Sequence, residues 1–188
     1  MGAPLTIPRR AFTVEQYHKM ADAGIFQEDD RIELVEGQMI EMAPIGPAHM
    51  SKVNELCGLF VRAVGERAIV SIQNPIALPP RNELQPDLAL LKPVSHRYRT
   101  HLPTATDILL LIEVADTTLA YDRDVKIPLY AVHGIEEVWL VDVRSAGLIV
   151  FRKPVGPTYG QVLTPSHSES IFPVTLPDVM IRVVDLSS

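Results

Sequence analysis

The stretch ILLLIEVA at residues 108–115 restricts what this chain can fold into more than any other feature. It is an apolar run interrupted only by Glu113, rich in β-branched and leucine side chains, with neither glycine nor proline inside it. A strand with one wet face alternates apolar and polar residues, whereas an unbroken apolar run is the pattern of a strand covered on both faces. Layers must therefore lie on both sides of it, which points to a sheet between helices rather than a helix bundle or a pure sandwich.

The flanking pattern agrees. TVEQYHKMADAG opens on Thr13 with Gln16 three residues on, the capping-box spacing, and closes on Gly24, so a short helix is expected there. RIELVEGQMIEM alternates on both sides of Glu36-Gly37 and predicts a hairpin with strands near 31–35 and 38–42. Val53, Leu56, Cys57, Phe60 and Val64 recur at helical spacing, which predicts an amphipathic helix over about 48–64. RAIVSI and PIAL read as a short strand pair, and PDLALL as a further strand, ahead of residues 108–115. A helix is then expected from near Asp122–Asp124 to Gly134, with Pro128 tolerable if it falls in the first turn. EEVWLVDV and LIVFR follow as strands around RSAG, and DVMIRVVDL as one or two more. The fold class is α/β or α+β, with a mixed sheet flanked by helices.

At 188 residues, a single domain spanning 1–188 is expected. Hydrophobic residues make up 47% and charged residues 21%, which excludes disordered and fibrous classes. No apolar run approaches the ~18 residues of a membrane span, and the N-terminus lacks a signal-peptide layout, so the expectation is a cytoplasmic protein with no membrane partner. The single cysteine, Cys57, sits between apolar neighbours and reads as a structural thiol. The six histidines show no zinc spacing. A net charge of −6 argues against a surface that attracts nucleic acid everywhere, so any such contact must come from a local basic patch.

Glu113 carries the chemistry. An isolated ionised carboxylate in a doubly covered strand costs several kcal/mol, so it must be neutral, paired with a cation or bound to metal. The preceding strand opens on Asp87, directly after Pro86. If the two strands are neighbours, the carboxylates meet, and such a pair shares a proton or binds a cation. Mg²⁺, or Mn²⁺, suits hard oxygen donors of this kind best. Lys126, early in the next helix, can project over the same sheet end and stabilise the charge that develops on a phosphate. Taken singly, Asp87 is a turn residue and Glu113 a structural partner of Arg123 or Lys126; the trio together favours a phosphodiesterase centre.

RIELVEG, QPDLALL and LLLIEVADTTLAYDRDVKIPLYAVHGIEEVWLVD resemble, in order and spacing, the Uma-two family of restriction-endonuclease-like proteins, a branch of the PD-(D/E)XK nuclease superfamily. The resemblance covers about residues 12–155, the nuclease-like core, and leaves 156–188 as a C-terminal strand extension. It implies a restriction-endonuclease-like fold, DNA as the partner, a homodimer matched to two-fold DNA, and catalytic roles for Asp87, Glu113 and Lys126. Asp87 and Glu113 would be the metal ligands, with Glu33 in RIELVEG as an outer or additional one. One departure stands out: the lysine expected two residues after Glu113 is Ala115, and the resemblance implies that its role passes to Lys126 in the following helix.

Between Lys92 and Thr106 lie Lys92, Arg97, Tyr98 and Arg99, with two histidines and no acid, a composition suited to phosphate contact and base stacking or to a solvated loop. His49 at a helix start is a further candidate for touching phosphate or metal. Trp139 and Tyr130 read as core residues. The expected function is Mg²⁺-dependent hydrolysis of DNA; the alternative is an inactive nuclease-fold protein that binds nucleic acid or serves assembly. A carboxylate-pair glycosidase ranks last, for want of an aromatic sugar platform.

Overall fold

The computed structural model describes residues 9–27 and 29–187, so the N-terminal segment on which the absence of a signal layout was read lies outside them. The chain divides into two compact units, one made of residues up to Ala43 with Ala77–Leu84, the other of Pro44–Ile76 with the chain from Gln85.

In the first unit, helix α1 (Val14–Asp22) starts on the expected capping box: the Gln16 amide donates to Thr13 Oγ1 at 3.2 Å and the Thr13 amide to Gln16 Oε1 at 3.1 Å. Strands β1 (Ile32–Val35) and β2 (Gln38–Glu41) form the expected hairpin. Its turn residues Glu36 and Gly37 have φ of 49° and 79°, the left-handed pair that a two-residue hairpin with the strands' right-handed twist demands.

The second unit is built on a six-stranded sheet. Helix α2 (Pro47–Val64) precedes β3 (Ile69–Ile72) and β4 (Ile76–Leu78), which do not form the expected pair: β3 stays in the six-stranded sheet, whereas β4 lies beside β5 (Asn82–Leu84), the partner of β1, in a four-stranded sheet of order β2-β1-β5-β4. Then come β6 (Leu88–Leu91), β7 (Ile108–Ala115), β8 (Glu137–Asp142), β9 (Gly147–Val155) and β10 (Thr158–Leu163). The sheet order is β10-β9-β8-β7-β6-β3, with β7 and β8 parallel and the other pairs antiparallel. This is the expected mixed sheet, and β7 lies inside it with seven of its eight residues buried.

The alternation of β7 sorts its side chains between two layers. Leu110, Ile112 and Val114 pack with Leu88 and Leu90 against Val53, Leu56, Phe60 and Val64 of α2 and against Ile181, Val183 and Leu186 near the C-terminus. Each such side chain contributes roughly 1.5–3 kcal/mol through burial. Trp139 is in this core, as its surroundings in the sequence imply, and Cys57 packs partly buried against it. The opposite face, which carries Glu113, meets the β7–β8 crossover.

Two expectations about that crossover and the tail need correcting. The helix does not begin at Asp122–Asp124: α3 (Leu119–Tyr121) leads into a π-helical turn, Asp122–Lys126, and then α4 (Ile127–Val132). Pro128 has no N–H to give the preceding turn, and the widened turn just ahead of it, closed by the Ile127 amide on the Asp122 carbonyl, fits that loss. DVMIRVVDL holds one of the expected strands, Ile181–Arg182 (β12), paired with Ser170–Ile171 (β11), but VVDLS forms helix α5 (Val183–Ser187) and not a second strand. No helix among the described residues is long and apolar enough to cross a membrane.

Candidate active site

Register brings the two carboxylates together. Leu88 of β6 faces Ile112 of β7, so one step back along β6 and one step on along β7 sets Asp87 across from Glu113. Directly opposed residues of an antiparallel pair project to the same face. Asp87 is held from α2, from β7 and from the residue that follows β3. Its Oδ2 accepts the Val114 amide at 2.9 Å; its Oδ1 lies 2.9 Å from His49 Nε2 of α2 and accepts the Gln73 side-chain amide at 3.2 Å.

Glu113 is 1% exposed. Burial pushes its carboxyl up to about 8, and the charges of Asp87 and Asp122 push the same way; Lys126 and a hydrogen bond from the Tyr130 hydroxyl pull it down. Lys126 Nζ is 3.4 Å from Glu113 Oε1, and the lysine is itself buried. Asp122, Lys126 and Tyr130 follow one another at intervals of four, so the crossover presents a single stripe to Glu113. Asp122 is also buried and accepts from the Thr118 hydroxyl at 2.6 Å. Tyr130 is in the core as expected, but its hydroxyl serves Glu113.

A folded carboxyl near 8 against 4.5 in the unfolded chain has a definite sign. The native state binds the proton more tightly, so this group's stabilisation is complete below pH ~4.5 and drains away as pH rises to about 8. Glu113→Gln removes the titration. Without divalent cations, the melting temperature of the variant minus that of wild type is expected to grow by about 3 °C or more from pH 5 to pH 9, the effect of ~1 kcal/mol in a chain of this size. A thermal melt of each protein across that range checks it; a constant difference would deny Glu113 its raised titration.

The other sequence-derived candidates lie elsewhere. Glu33 is on β1 in the first unit and 1% exposed; burial, then Glu83 and Glu33, raises the Tyr17 hydroxyl. Lys92, Arg97, Tyr98 and Arg99 belong to the connection between the end of β6 and the start of β7, which the Lys92 amide ties to the Asp107 carbonyl at 2.8 Å. Asp87 and Glu113 are at the other end of that strand pair. The loop therefore stands off by about the four residues of β6, roughly 13 Å at ~3.3 Å per residue. The Tyr98 hydroxyl donates to the Lys92 carbonyl at 2.9 Å, and its ring packs edge-on against His96 and His101, so the loop has a set shape.

Among the described residues no group of three or more His, Cys, Asp and Glu is arranged to hold a metal ion. The donor set that exists, Asp87 beside Glu113, fits a cation content with one or two carboxylates and several waters, which is the habit of Mg²⁺. The raised Glu113 titration fits too, because a buried carboxyl that resists ionising alone is one that a cation would ionise.

Residues 14–184 match the Uma2 family model, described as "Putative restriction endonuclease". A crystal structure from Anabaena variabilis, described as a "putative nuclease belonging to DUF820", superposes with a TM-score of 0.72 at 15% identity, over 93% of this chain and 97% of that one. No curated protein matches the chain.

Proposed function

This chain belongs to the Uma2 family of restriction-endonuclease-like proteins, and on that premise we propose that it is a Mg²⁺- or Mn²⁺-dependent endonuclease that hydrolyses DNA phosphodiester bonds. The observation that carries the reading is the pairing of Asp87 with Glu113, whose buried carboxyl faces Lys126 at 3.4 Å.

Asp87, fixed by His49, Gln73 and Val114, and Glu113, fixed by Tyr130, are the ligands. When bound, the divalent cation supplies Lewis-acid polarisation of the scissile phosphate and a more acidic water. Lys126 places a compact positive charge beside that phosphate, where negative charge grows as the attacking oxygen adds. Glu113 and Lys126 are buried, and charges in such low-dielectric surroundings interact more strongly than at an exposed surface. Lys92, Arg97, Tyr98 and Arg99 would grip DNA backbone several nucleotides from the cut, since successive phosphates of one strand are ~3.4 Å apart along the axis. A cytoplasmic homodimer, with one centre per strand of two-fold DNA, is the assembly that goes with this activity.

A second reading, DNA binding without hydrolysis, draws on Ala115, which is fully buried where the superfamily's lysine would stand. Supercoiled plasmid incubated with the full chain separates the two. Nicked and linear products in Mg²⁺ or Mn²⁺ that chelator abolishes are the expected result; salt-sensitive retention of intact plasmid would select the binding protein.

A further inference from the structure

Gln73 has a conformation that its place in the chain does not require. It follows the last residue of β3 with φ at 49°, a left-handed backbone that residues with a Cβ disfavour. A turn needed only to redirect the chain would take glycine or asparagine there. Glutamine adds reach. Its amide N–H donates to the Asp87 carbonyl at 3.0 Å, and its side-chain nitrogen donates to Asp87 Oδ1 at 3.2 Å. A carboxylate can only accept, so the nitrogen end of the side chain is the end that faces it. One residue thus holds Asp87 by main chain and side chain together, while His49 reaches the same oxygen from α2 and Val114 occupies the other.

We propose that Gln73 is a positioning residue: with His49 it fixes the Asp87 carboxylate in the orientation that shares a divalent cation with Glu113, and its left-handed backbone is kept for that task. The inference rests on the cation site argued under Proposed function. Partners in the outer layer of a metal site orient its ligands, and losing one weakens metal binding by ~10–100-fold. A residue that served only the fold would leave cation affinity alone and lower stability when removed. Gln73 should do the opposite, because glycine adopts its φ without strain.

The test uses the full chain as wild type, Gln73→Gly and Asp87→Asn, with Mn²⁺ titrated in a calorimeter and thermal melts run in chelator. Gln73→Gly should melt at or above the wild-type temperature yet bind Mn²⁺ about 10-fold more weakly or worse; Asp87→Asn should lose the site. Unchanged Mn²⁺ affinity in Gln73→Gly, with wild type binding, overturns the role of Gln73 and leaves the cation site standing. A fall in melting temperature alongside weaker binding makes Gln73 a structural bracket and also overturns it. Wild type that takes up no Mn²⁺ removes the cation site itself, and this inference with it.

Discussion

Lys126→Ala is expected to slow cation-dependent cleavage of DNA by about 10²–10³-fold, the usual cost of losing one preorganised charge at a developing anion. The lysine does two things. In the proposed reaction its ammonium would stand beside the reacting phosphate, and in the structure it is the largest influence holding the Glu113 titration down. Without it the carboxyl rises further, and the proton competes better with the cation. The two roles separate in single-turnover rates measured against pH and Mn²⁺ concentration. Raising either should recover the part of the loss due to the proton, while the deficit at saturation reports the charge on the phosphate. A variant that regains the full rate at high Mn²⁺ would reduce Lys126 to a partner of Glu113.

Arg152→Ala should lower the melting temperature by about 10 °C, from ~3–5 kcal/mol at ~2–4 °C per kcal/mol. Glu137 opens β8 and is 0% exposed. Its Oε1 accepts from Arg152 Nε at 2.8 Å and from Trp139 Nε1 at 2.7 Å, while Oε2 accepts the Val174 amide at 2.6 Å. Arg152 also donates to the Phe172 carbonyl at 2.6 Å, so this ion pair clasps residues 172–174 to the six-stranded sheet. Removing the guanidinium leaves a buried carboxylate with no counter-charge, which costs far more than the pair contributes. Arg152→Ala combined with Glu137→Gln should regain several degrees, because the amide is neutral; an equally unstable double variant would mean that packing, not charge, held the clasp.

How much of this could be read from the sequence depends on the range of the interactions. The apolar run at 108–115, the capping box at Thr13 and Gln16, and the Glu36-Gly37 turn are local signals, and the structure has a buried strand, a helix and a hairpin where they stand. The strand β5 and the helix α5 were not legible. NEL is too short to carry a period, and pairs with β1 across some fifty residues of chain; the β-branched VVDLS has strand composition but is helical where it packs on the core. The π-helical turn ahead of Pro128 was hidden for another reason: proline marks that something must give, and not how.

In the site, Asp87 and Glu113 stood out because polar residues interrupt apolar strands, and the register sets them opposite each other. The rest of their surroundings is tertiary. Tyr130 looked like any core aromatic, although the intervals Asp122, Lys126, Tyr130 were a signal that a helical stripe could address one buried acid. Gln73 offered none, since neither a left-handed backbone nor its partner Asp87 is written in SIQNP. The basic loop was found by composition, but only strand order reveals that it sits at the far end of β6 and β7 from the carboxylates.

Whether Asp87 and Glu113 hold the cation for DNA hydrolysis is read from plasmid cleavage at pH 8 in Mn²⁺ by wild type and Glu113→Gln side by side. Thermal melts of both proteins in the assay buffer, run beside the cleavage, separate a loss of activity from unfolding. Wild type should cleave the plasmid and Glu113→Gln should not; equal cleavage by both would mean that Glu113 is no ligand of the reacting cation.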